Sequence, residues 1–415
     1  MQAGPEKIFD VAEIINGEHI VAYFQPLVSV QRKAVIGFEG LSRGVNPEDK
    51  SIISPIDLFV QANARNLNHD LDLLCREKIL ESFLILKKTH HEVVLTVNIG
   101  ASAIEKKTWS GYLKTQVMAS GLTPQDIVIE IVESAVLDID KLRRFVESYR
   151  EAGFLIALDD IGSGHSNLNR IPQIKPDIIK VDRYLVKEIE KDFYKQEVFK
   201  SLVSMSEHLG TVIIAEGVET SDEANTLLDI GVDVMQGYYF GKPMPREELN
   251  EGDIRYRIDE LGHNYRKEQI VKIGNKRFVM KRYFKLLEDV QRDLVNTEMS
   301  TLEEKLKKVA KSFPDIESLY VVDEDGLQAT EMVFNTSRKA GRNSAMFRPL
   351  PRGADHTTRD YYYFLIDEAF SKSTYVTKPY ISLATGNNCV TIGSLFLDQN
   401  KKKYILCLDI KAPVK

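Results

Sequence analysis

Cysteine is scarce in this sequence, with three residues, Cys75, Cys389 and Cys407, in a chain of 415. Their spacing does not match a zinc site, and three cysteines cannot all pair in disulfides. Unpaired structural thiols are typical of a reducing compartment, so we expect a cytoplasmic protein. The chain also lacks an apolar run of about 18 residues, so we expect no membrane-spanning segment.

Neither sign of charge dominates, because 55 lysines and arginines face 61 acidic residues, which gives a net charge of −6. Proteins that bind duplex nucleic acid usually present a strongly basic surface, so we expect a smaller ligand here and no duplex partner. The length exceeds what one hydrophobic core usually organises, and a hydrophobic content of 43% is sufficient for two packed domains.

Apolar runs alternate with amphipathic stretches between residues 21 and 239, which is typical of an α/β fold with a parallel sheet or barrel. Seven of these runs end in a polar residue: 35–38 before Glu39, 93–97 before Asn98, 127–129 before Glu130, 154–158 before Asp159 and Asp160, 178–179 before Lys180, 212–215 before Glu216, and 234–235 before Gln236. If the runs are strands of one barrel, these polar groups converge on its C-terminal rim, where barrel enzymes keep their chemistry.

Five of the strand-end residues are carboxylates, and their charges would repel one another strongly at one rim. Divalent cations remove this conflict, and oxygen ligands without histidine or cysteine suit Mg²⁺ or Mn²⁺. Two such ions, about 3.5–4 Å apart, are the usual arrangement for in-line displacement at a phosphodiester. A single strand-end acid is often only a helix N-cap or a solvated loop residue. Seven polar ends of complementary type favour a site for phosphoryl transfer.

Several ordered motifs resemble those of the EAL-domain phosphodiesterases, over about residues 20–245. The segment 38–43, Phe-Glu-Gly-Leu-Ser-Arg, resembles the Glu-x-Leu-x-Arg signature of that family. Further matching boxes begin at Phe24, Val97, Glu130, Asp159, Lys180, Ala215 and Gln236. The resemblance implies a TIM-like (β/α)8 barrel of the EAL type. Gly40 stands where the family usually has alanine, a change that should leave Glu39 in place.

The resemblance also implies roles for individual residues. Two ions, Mg²⁺ or Mn²⁺, would be held by Glu39, Asn98, Glu130, Asp159, Asp160 and Glu216. Lys180 would position the nucleophilic water, and Gln236 would steady the same region. An ion pair of Lys180 with Asp182 is the structural alternative.

Other matching positions imply substrate contacts and a loop beside the metals. Arg43 would contact a phosphate and Leu41 would pack on a guanine. The substrate-binding set would also include Gln25, Asp182 and Gly237. Loop 160–167 can bend tightly because Gly162 and Gly164 permit conformations closed to other residues. Glu219 would brace this loop, and Glu133 belongs to the neighbouring Glu-x-x-Glu-Ser box.

For function, the resemblance implies two-metal hydrolysis of cyclic di-GMP to linear pGpG by a homodimer. The alternative is a catalytically silent EAL module that binds cyclic di-GMP and signals by changing shape. Receptors of this kind typically lack one or more ligands, whereas every expected metal and water-positioning residue is present in this sequence.

Beyond Pro245 the composition changes. We predict a division into the barrel at 1–250, a helical connector at 251–312 and a small α+β domain at 313–415. Apolar residues at helical spacing, such as Leu286, Val290 and Leu302, would either pack on the barrel or form a dimer contact.

The C-terminal part resembles sensor domains of the PAS/Cache type, on short motifs near Arg359 and Tyr380. We predict a regulatory domain with a pocket for a small ligand of unknown identity, formed by Arg359, Asp360, Tyr361 and Tyr380. Arginine can donate two parallel hydrogen bonds to a carboxylate or phosphate. A surface salt bridge between Arg359 and Asp360 is the alternative.

Overall fold

The structure is a computed structural model, and it describes residues 9–90, 92–100, 104, 111–132, 138–163, 168–294, 297–335, 348–367, 374–382 and 384–411. The chain forms two compact units, Met1–Gln269 and Ile270–Lys415. The boundary between the units lies inside the segment 251–312, which the sequence suggests is a connector. Each unit has a hydrophobic core of its own.

The first unit is a closed barrel, as predicted. Its sheet contains β1 (Ile20–Ser29), β2 (Ala34–Val45), β3 (Ile52–Ile53), β4 (Val94–Ile99), β5 (Ile127–Val132), β6 (Leu155–Ile161), β7 (Ile178–Val181), β8 (Val212–Ala215), β9 (Val234–Gln236) and β10 (Met244–Pro245). Pairing of β1 with β2 and with β9 closes the ring of eight strands, while the short strands β3 and β10 pair at its margin.

Strand direction departs from an all-parallel barrel at β1. The strands β2 and β4 to β9 run parallel to one another, but β1 is antiparallel to both β2 and β9. As a result β2 continues to Val45, and Glu39 lies within this strand, not at its end as predicted. The parallel pairing of β2 with β4 nevertheless ends at Glu39, so this residue lies level with the other strand ends.

Helices surround the barrel: α1 (Val11–Asn16), α2 (Pro55–Ala64), α3 (Asn68–Thr89), α4 (Tyr112–Ala119), α5 (Ile139–Glu151), α6 (Ile171–Ile174), α7 (Arg183–Val186), α8 (Phe193–Leu209) and α9 (Ser221–Ile230). Helix α5 shows how the sequence forms them. The Asp138 side chain caps its N-terminus by accepting from the backbone N–H groups of Asp140 and Lys141. Leu142, Phe145 and Val146 recur at helical spacing and are buried in the barrel core.

Two further helices, α10 (Glu251–Leu294) and α11 (Met299–Ser312), follow the barrel. Ile254, Ile258 and Leu261 of α10 pack into the core of the first unit. The predicted apolar stripe further along, from Leu286 to Val309, packs instead against the sheet of the second unit. That stripe is therefore covered within its own unit. Within the described residues, no helix has the length and apolarity needed to span a membrane.

The second unit contains an antiparallel sheet of β11 (Ile316–Asp323), β12 (Val333–Phe334), β13 (Thr374–Val376), β14 (Tyr380–Ile381), β15 (Asn388–Leu397) and β16 (Lys403–Lys411), with the short helix α12 (Asp360–Ile366). Alternate residues of β11 point to opposite faces of this sheet. Leu319 and Val321 pack in the cluster with α10 and α11, whereas Tyr320 and Val322 pack in the cluster with α12.

Candidate functional site

The C-terminal rim of the barrel contains a cleft of about 330 Å³. Its lining residues come from β1, β2 and the ends of β6 to β9: Gln25, Glu39, Asp159, Asp160, Lys180, Arg183, Glu216, Gly217, Glu219, Gln236, Gly237 and Tyr238. Most of the side chains in this set are polar or charged. The strand order of the barrel thus brings together residues that lie far apart in the sequence.

Lys180 lies at the centre of the acidic residues and is almost fully buried. Its Nζ is 2.6 Å from Glu130 Oε1, 2.5 Å from Glu216 Oε1 and 3.6 Å from Asp159 Oδ1. An ion pair with Asp182 is not the arrangement found, because the Asp182 side chain caps α7 by accepting from the N–H of Tyr184 at 2.8 Å. Lys180 is therefore the counter-ion of the acidic cluster.

Glu39 is held by amide side chains from neighbouring strands. The Gln236 amide donates to Glu39 Oε2, and the Asn98 amide donates to Oε1 at 3.3 Å. Gln236 also donates to Gln25 Oε1 at 3.0 Å, and Gln25 in turn donates to the backbone carbonyl of Gly241 at 3.1 Å. This chain of hydrogen bonds fixes Glu39 from the antiparallel strand β1 and from β9.

Burial and mutual repulsion both disfavour the charged forms of the carboxyl groups in this cluster, and the pKa shifts have that direction. Burial raises the pKa of Glu130 well above its usual range, although Lys180 opposes the shift. Burial likewise raises the pKa of Glu216 to about 8 and raises the pKa of Asp160. For Lys180, burial alone would lower the pKa, but the surrounding carboxylates outweigh burial and hold the pKa well above its usual range. One ammonium therefore does not neutralise the five carboxylates of the cluster.

The residues present fit divalent cations. Carboxylate oxygens of Asp159, Asp160 and Glu216 lie within 4.8 Å of one another. Glu130 Oε2 is buried and has no hydrogen-bond partner among the described residues, which leaves a buried acceptor for a ligand. Hard oxygen donors with no histidine or cysteine match the ligand preferences of Mg²⁺ and Mn²⁺.

Backbone geometry brings two strand ends close together at the cleft. A Cβ at Gly237 would lie 2.1 Å from the backbone oxygen of Val218, so only glycine fits there. This close approach allows Val218 N–H to donate to the carbonyl of Gln236 at 3.0 Å.

Asp160 has a φ of +61°, which is uncommon for a residue with a side chain. Its N–H donates to Asp159 Oδ1 at 3.0 Å.

The residues expected to contact substrate are distributed differently. Gln25 and Gly237 line the cleft. Arg43 is half-buried on β2, with its guanidinium 5.2 Å from the centre of the Tyr23 ring. Leu41 is paired with Tyr23 across β1 and β2. Neither Leu41 nor Arg43 is among the residues that line the cleft.

The glycine and glutamate residues of the predicted loop are only partly described. Gly162 has a φ of +97°, a conformation that favours glycine. Glu133 and Gly164 lie outside the described residues. Glu219 forms an ion pair of 2.7 Å with Arg183, the residue after Asp182.

The sequence did not point to Arg183, Gly217 or Tyr238 individually, and all three line the cleft. Each follows a selected residue within three positions, and that proximity to Lys180, Glu216 and Gln236 is the signal that could have found them.

The four residues predicted for the C-terminal pocket also lie together. Arg359, Asp360, Tyr361 and Tyr380 all line one cavity in the second unit. Arg359 does not form the surface salt bridge with Asp360 that is the alternative from the sequence: among the residues described, no such ion pair is found.

Known proteins resemble this chain in sequence and in fold. The sequence model of the EAL-domain family matches residues 10–243 of this chain. The cyclic di-GMP phosphodiesterase PdeR of Escherichia coli K12 is 28% identical over 251 residues, which cover 60% of this chain and 37% of PdeR. The chain spans less than half the length of the first curated relatives that it matches.

Two solved structures are also similar. The Bacillus subtilis YkuI protein, solved with its substrate cyclic di-GMP and calcium, has a TM-score of 0.82 at 21% identity, over 98% of this chain and 100% of that one. This likeness shows that the two-unit layout is shared. Klebsiella pneumoniae BlrP1, in a complex with manganese and cyclic di-GMP, has a TM-score of 0.50 at 30% identity, over 55% of this chain and 57% of that one. The family match covers more than half of the sequence, and this chain belongs to the EAL-domain family.

Proposed function

We propose that the barrel hydrolyses cyclic di-GMP to linear pGpG with two divalent cations, Mg²⁺ or Mn²⁺. The observation that carries this proposal is the cluster of five carboxylates around one buried lysine, which leaves excess negative charge at a rim cleft. The choice of substrate is supported by the similarity to PdeR, a cyclic di-GMP phosphodiesterase. The choice of metal is supported by BlrP1, whose structure contains manganese together with cyclic di-GMP.

In this proposal the ions are held by Glu39, Asn98, Glu130, Asp159, Asp160 and Glu216. When bound, such ions lower the pKa of an attacking water and neutralise charge on the phosphoryl oxygens. Hydrolysis joins the oxygen of one water to a phosphorus atom and breaks the bond from that phosphorus to one ribose oxygen. The water also supplies the proton that the released ribose oxygen takes up. One such step opens the ring and gives pGpG.

Residues of this chain would orient the reactants. Lys180 is fixed by Glu130 and Glu216, so its ammonium can hold the attacking water and compensate charge at the phosphate. Gln236 Oε1 is buried without a hydrogen-bond partner among the described residues, and it would accept a hydrogen from water or substrate. We assign Arg43 to a phosphate and Leu41 to a guanine.

Three further residues complete the substrate side of the proposal. Gln25 and Gly237 line the cleft beside the acidic cluster. Asp182 would act through α7, whose first turn it caps. We assign to Glu219 the bracing of the loop after Asp160. The second unit would regulate the reaction.

Turnover should depend on the identity of the metal. We expect pGpG formation with Mn²⁺ or Mg²⁺ and inhibition by Ca²⁺, because the larger radius and looser coordination of Ca²⁺ would spoil the spacing of two ions at one phosphate. The measurement is separation of cyclic and linear dinucleotides after incubation with each ion. Rapid turnover in Ca²⁺ alone, or none in Mn²⁺, would contradict the two-metal proposal.

We also propose that the chain forms a homodimer, as its resemblance to the family implies. The contact would lie near loop 160–167, of which residues 164–167 are outside the described part of the chain. Sedimentation velocity at micromolar concentration should give the mass of two chains. A fully active monomer would refute a requirement for pairing.

A further inference from the structure

A second cavity, distinct from the cleft of the barrel, lies within the second unit. Its volume is about 390 Å³, which falls in the range of about 300–1,000 Å³ typical of small-molecule sites. It lies on the face of the sheet that carries α12, with Tyr320, Thr391 and Asp409 from three neighbouring strands. Tyr361 and Tyr375 add aromatic surface from α12 and β13. Such a mixture of aromatic walls and a few polar groups is typical of a ligand site.

Two cationic side chains of this cavity are available to a ligand. Arg359 and Lys378 both line it, and both are exposed. Within the described ranges, neither side chain makes an ion pair or a hydrogen bond. His356 also lines the cavity, but burial, aided by Arg359, lowers its pKa to about 4, so it is neutral at neutral pH. The positive charge offered to a ligand therefore comes from Arg359 and Lys378.

The buried end of the cavity is built around Asp409, which is 2% exposed. Its Oδ1 accepts from the Thr391 hydroxyl at 2.8 Å and from the Tyr380 hydroxyl at 3.2 Å. Its Oδ2 accepts from the Ser318 hydroxyl at 2.8 Å. The Tyr380 and Thr391 hydroxyls are also 2.7 Å apart, within hydrogen-bond distance of each other. Because each hydroxyl has a single hydrogen and both hydrogens are used within this network, the capacity left for a ligand is that of an acceptor. A ligand group that meets them must donate a hydrogen.

The charges of the lining restrict the ligand further. Burial raises the pKa of Asp409, so Asp360 is the acid of the lining that opposes Arg359 and Lys378 more directly, and the lining has no large positive excess. A doubly charged phosphate would face these two carboxyl groups without full compensation. A single carboxylate matches the planar fork of Arg359. We propose that this cavity binds a small carboxylic acid that also carries a hydroxyl or ammonium donor, with the carboxylate at Arg359 and Lys378 and the donor toward Thr391 and Tyr380.

The test is a binding screen on the full chain by thermal shift, followed by calorimetric titration of the hits. The probes are the standard amino acids and their 2-hydroxy analogues, with propionate and inorganic phosphate for comparison. We expect saturable binding of at least one amino or hydroxy acid. We expect weaker binding of propionate, which lacks the donor, and of phosphate. Failure of every amino and hydroxy acid to bind, or tighter binding of phosphate, would overturn the proposal.

Substitutions locate the binding at this cavity. Arg359→Ala and Lys378→Ala should each weaken binding of the hit by about tenfold or more, because each removes a charge-assisted contact. Arg292→Ala is the matched control, since Arg292 is an exposed arginine of α10 that does not line the cavity. Equal affinity of Arg359→Ala and wild type would refute the assignment. Since binding is measured directly, this result is independent of whether the barrel hydrolyses cyclic di-GMP.

Discussion

Replacement of Lys180 by methionine is expected to lower cyclic di-GMP turnover by about 10²–10³-fold, the cost typical of removing one preorganised donor. Methionine approximates the length of lysine but cannot donate a hydrogen bond or carry charge. The metal-holding residues remain, so dinucleotide binding should be lost less than turnover. Steady-state assays with Mn²⁺ and a direct binding titration of the same variant measure the two effects separately.

The same variant should be less stable when metal is removed. In the wild type, Lys180 Nζ contacts Glu130 at 2.6 Å and Glu216 at 2.5 Å in a buried position. Loss of one partner of a buried ion pair typically costs about 3–5 kcal/mol. Denaturant unfolding in chelator should show this loss, and Mn²⁺ should restore more stability to the variant than to the wild type. Lys187→Met, an exposed lysine just after α7, is the control. Near-normal turnover of Lys180→Met would show that Lys180 does not position the water.

Glu130→Gln should also lose turnover but, unlike Lys180→Met, should not lose stability, because it preserves shape and removes negative charge from the most buried acid of the cluster around Lys180. Turnover should fall by at least about 10²-fold, since even loss of an outer partner of a metal ligand costs about 10–100-fold in affinity or activity. Without metal, stability should be unchanged or higher at neutral pH. The reason is that Lys180 keeps Glu216 as a partner at 2.5 Å, and that burial raises the pKa of Glu130 well above its usual range, so the charged form of Glu130 is unfavourable.

Metal titrations followed by thermal unfolding distinguish these effects for Glu130→Gln. Wild type should gain stability with Mn²⁺, and the variant should gain much less. Glu147→Gln, an exposed glutamate on α5, is the control for loss of one negative charge. If Glu130→Gln binds Mn²⁺ as tightly as the wild type, Glu130 is not a metal-holding residue.

The sequence predicted much of the cleft because strand ends of a parallel barrel converge. Asp159, Lys180 and Gln236 follow this rule directly. Glu39 did not, since β2 extends beyond it to pair with an antiparallel β1, and the run of apolar residues before Glu39 carries no signal for that pairing. The ion pair of Arg183 with Glu219 was missed for a similar reason, because it depends on the packing of α7 beside the loop after β8.

In the second unit the sequence indicated aromatic and basic residues but not how they are supported. The network around Asp409 joins Ser318, Tyr380 and Thr391, which are brought together by the pairing of β11, β15 and β16. Side-chain hydrogen bonds between distant strands leave no periodic pattern. The apolar stripe around Val290 was recognised, but its partner was not, because an amphipathic helix specifies a buried face without specifying what covers it.

The most direct test of the central claim compares binding and hydrolysis on one preparation of the full chain. Cyclic di-GMP affinity would be measured in Ca²⁺ by equilibrium dialysis, and product formation in Mn²⁺ by chromatographic separation of dinucleotides. A metal-dependent phosphodiesterase should bind cyclic di-GMP and convert it to pGpG in Mn²⁺, with Glu130→Gln and Lys180→Met strongly impaired. Tight binding with no pGpG in either Mn²⁺ or Mg²⁺ would contradict this account and identify the chain as a receptor.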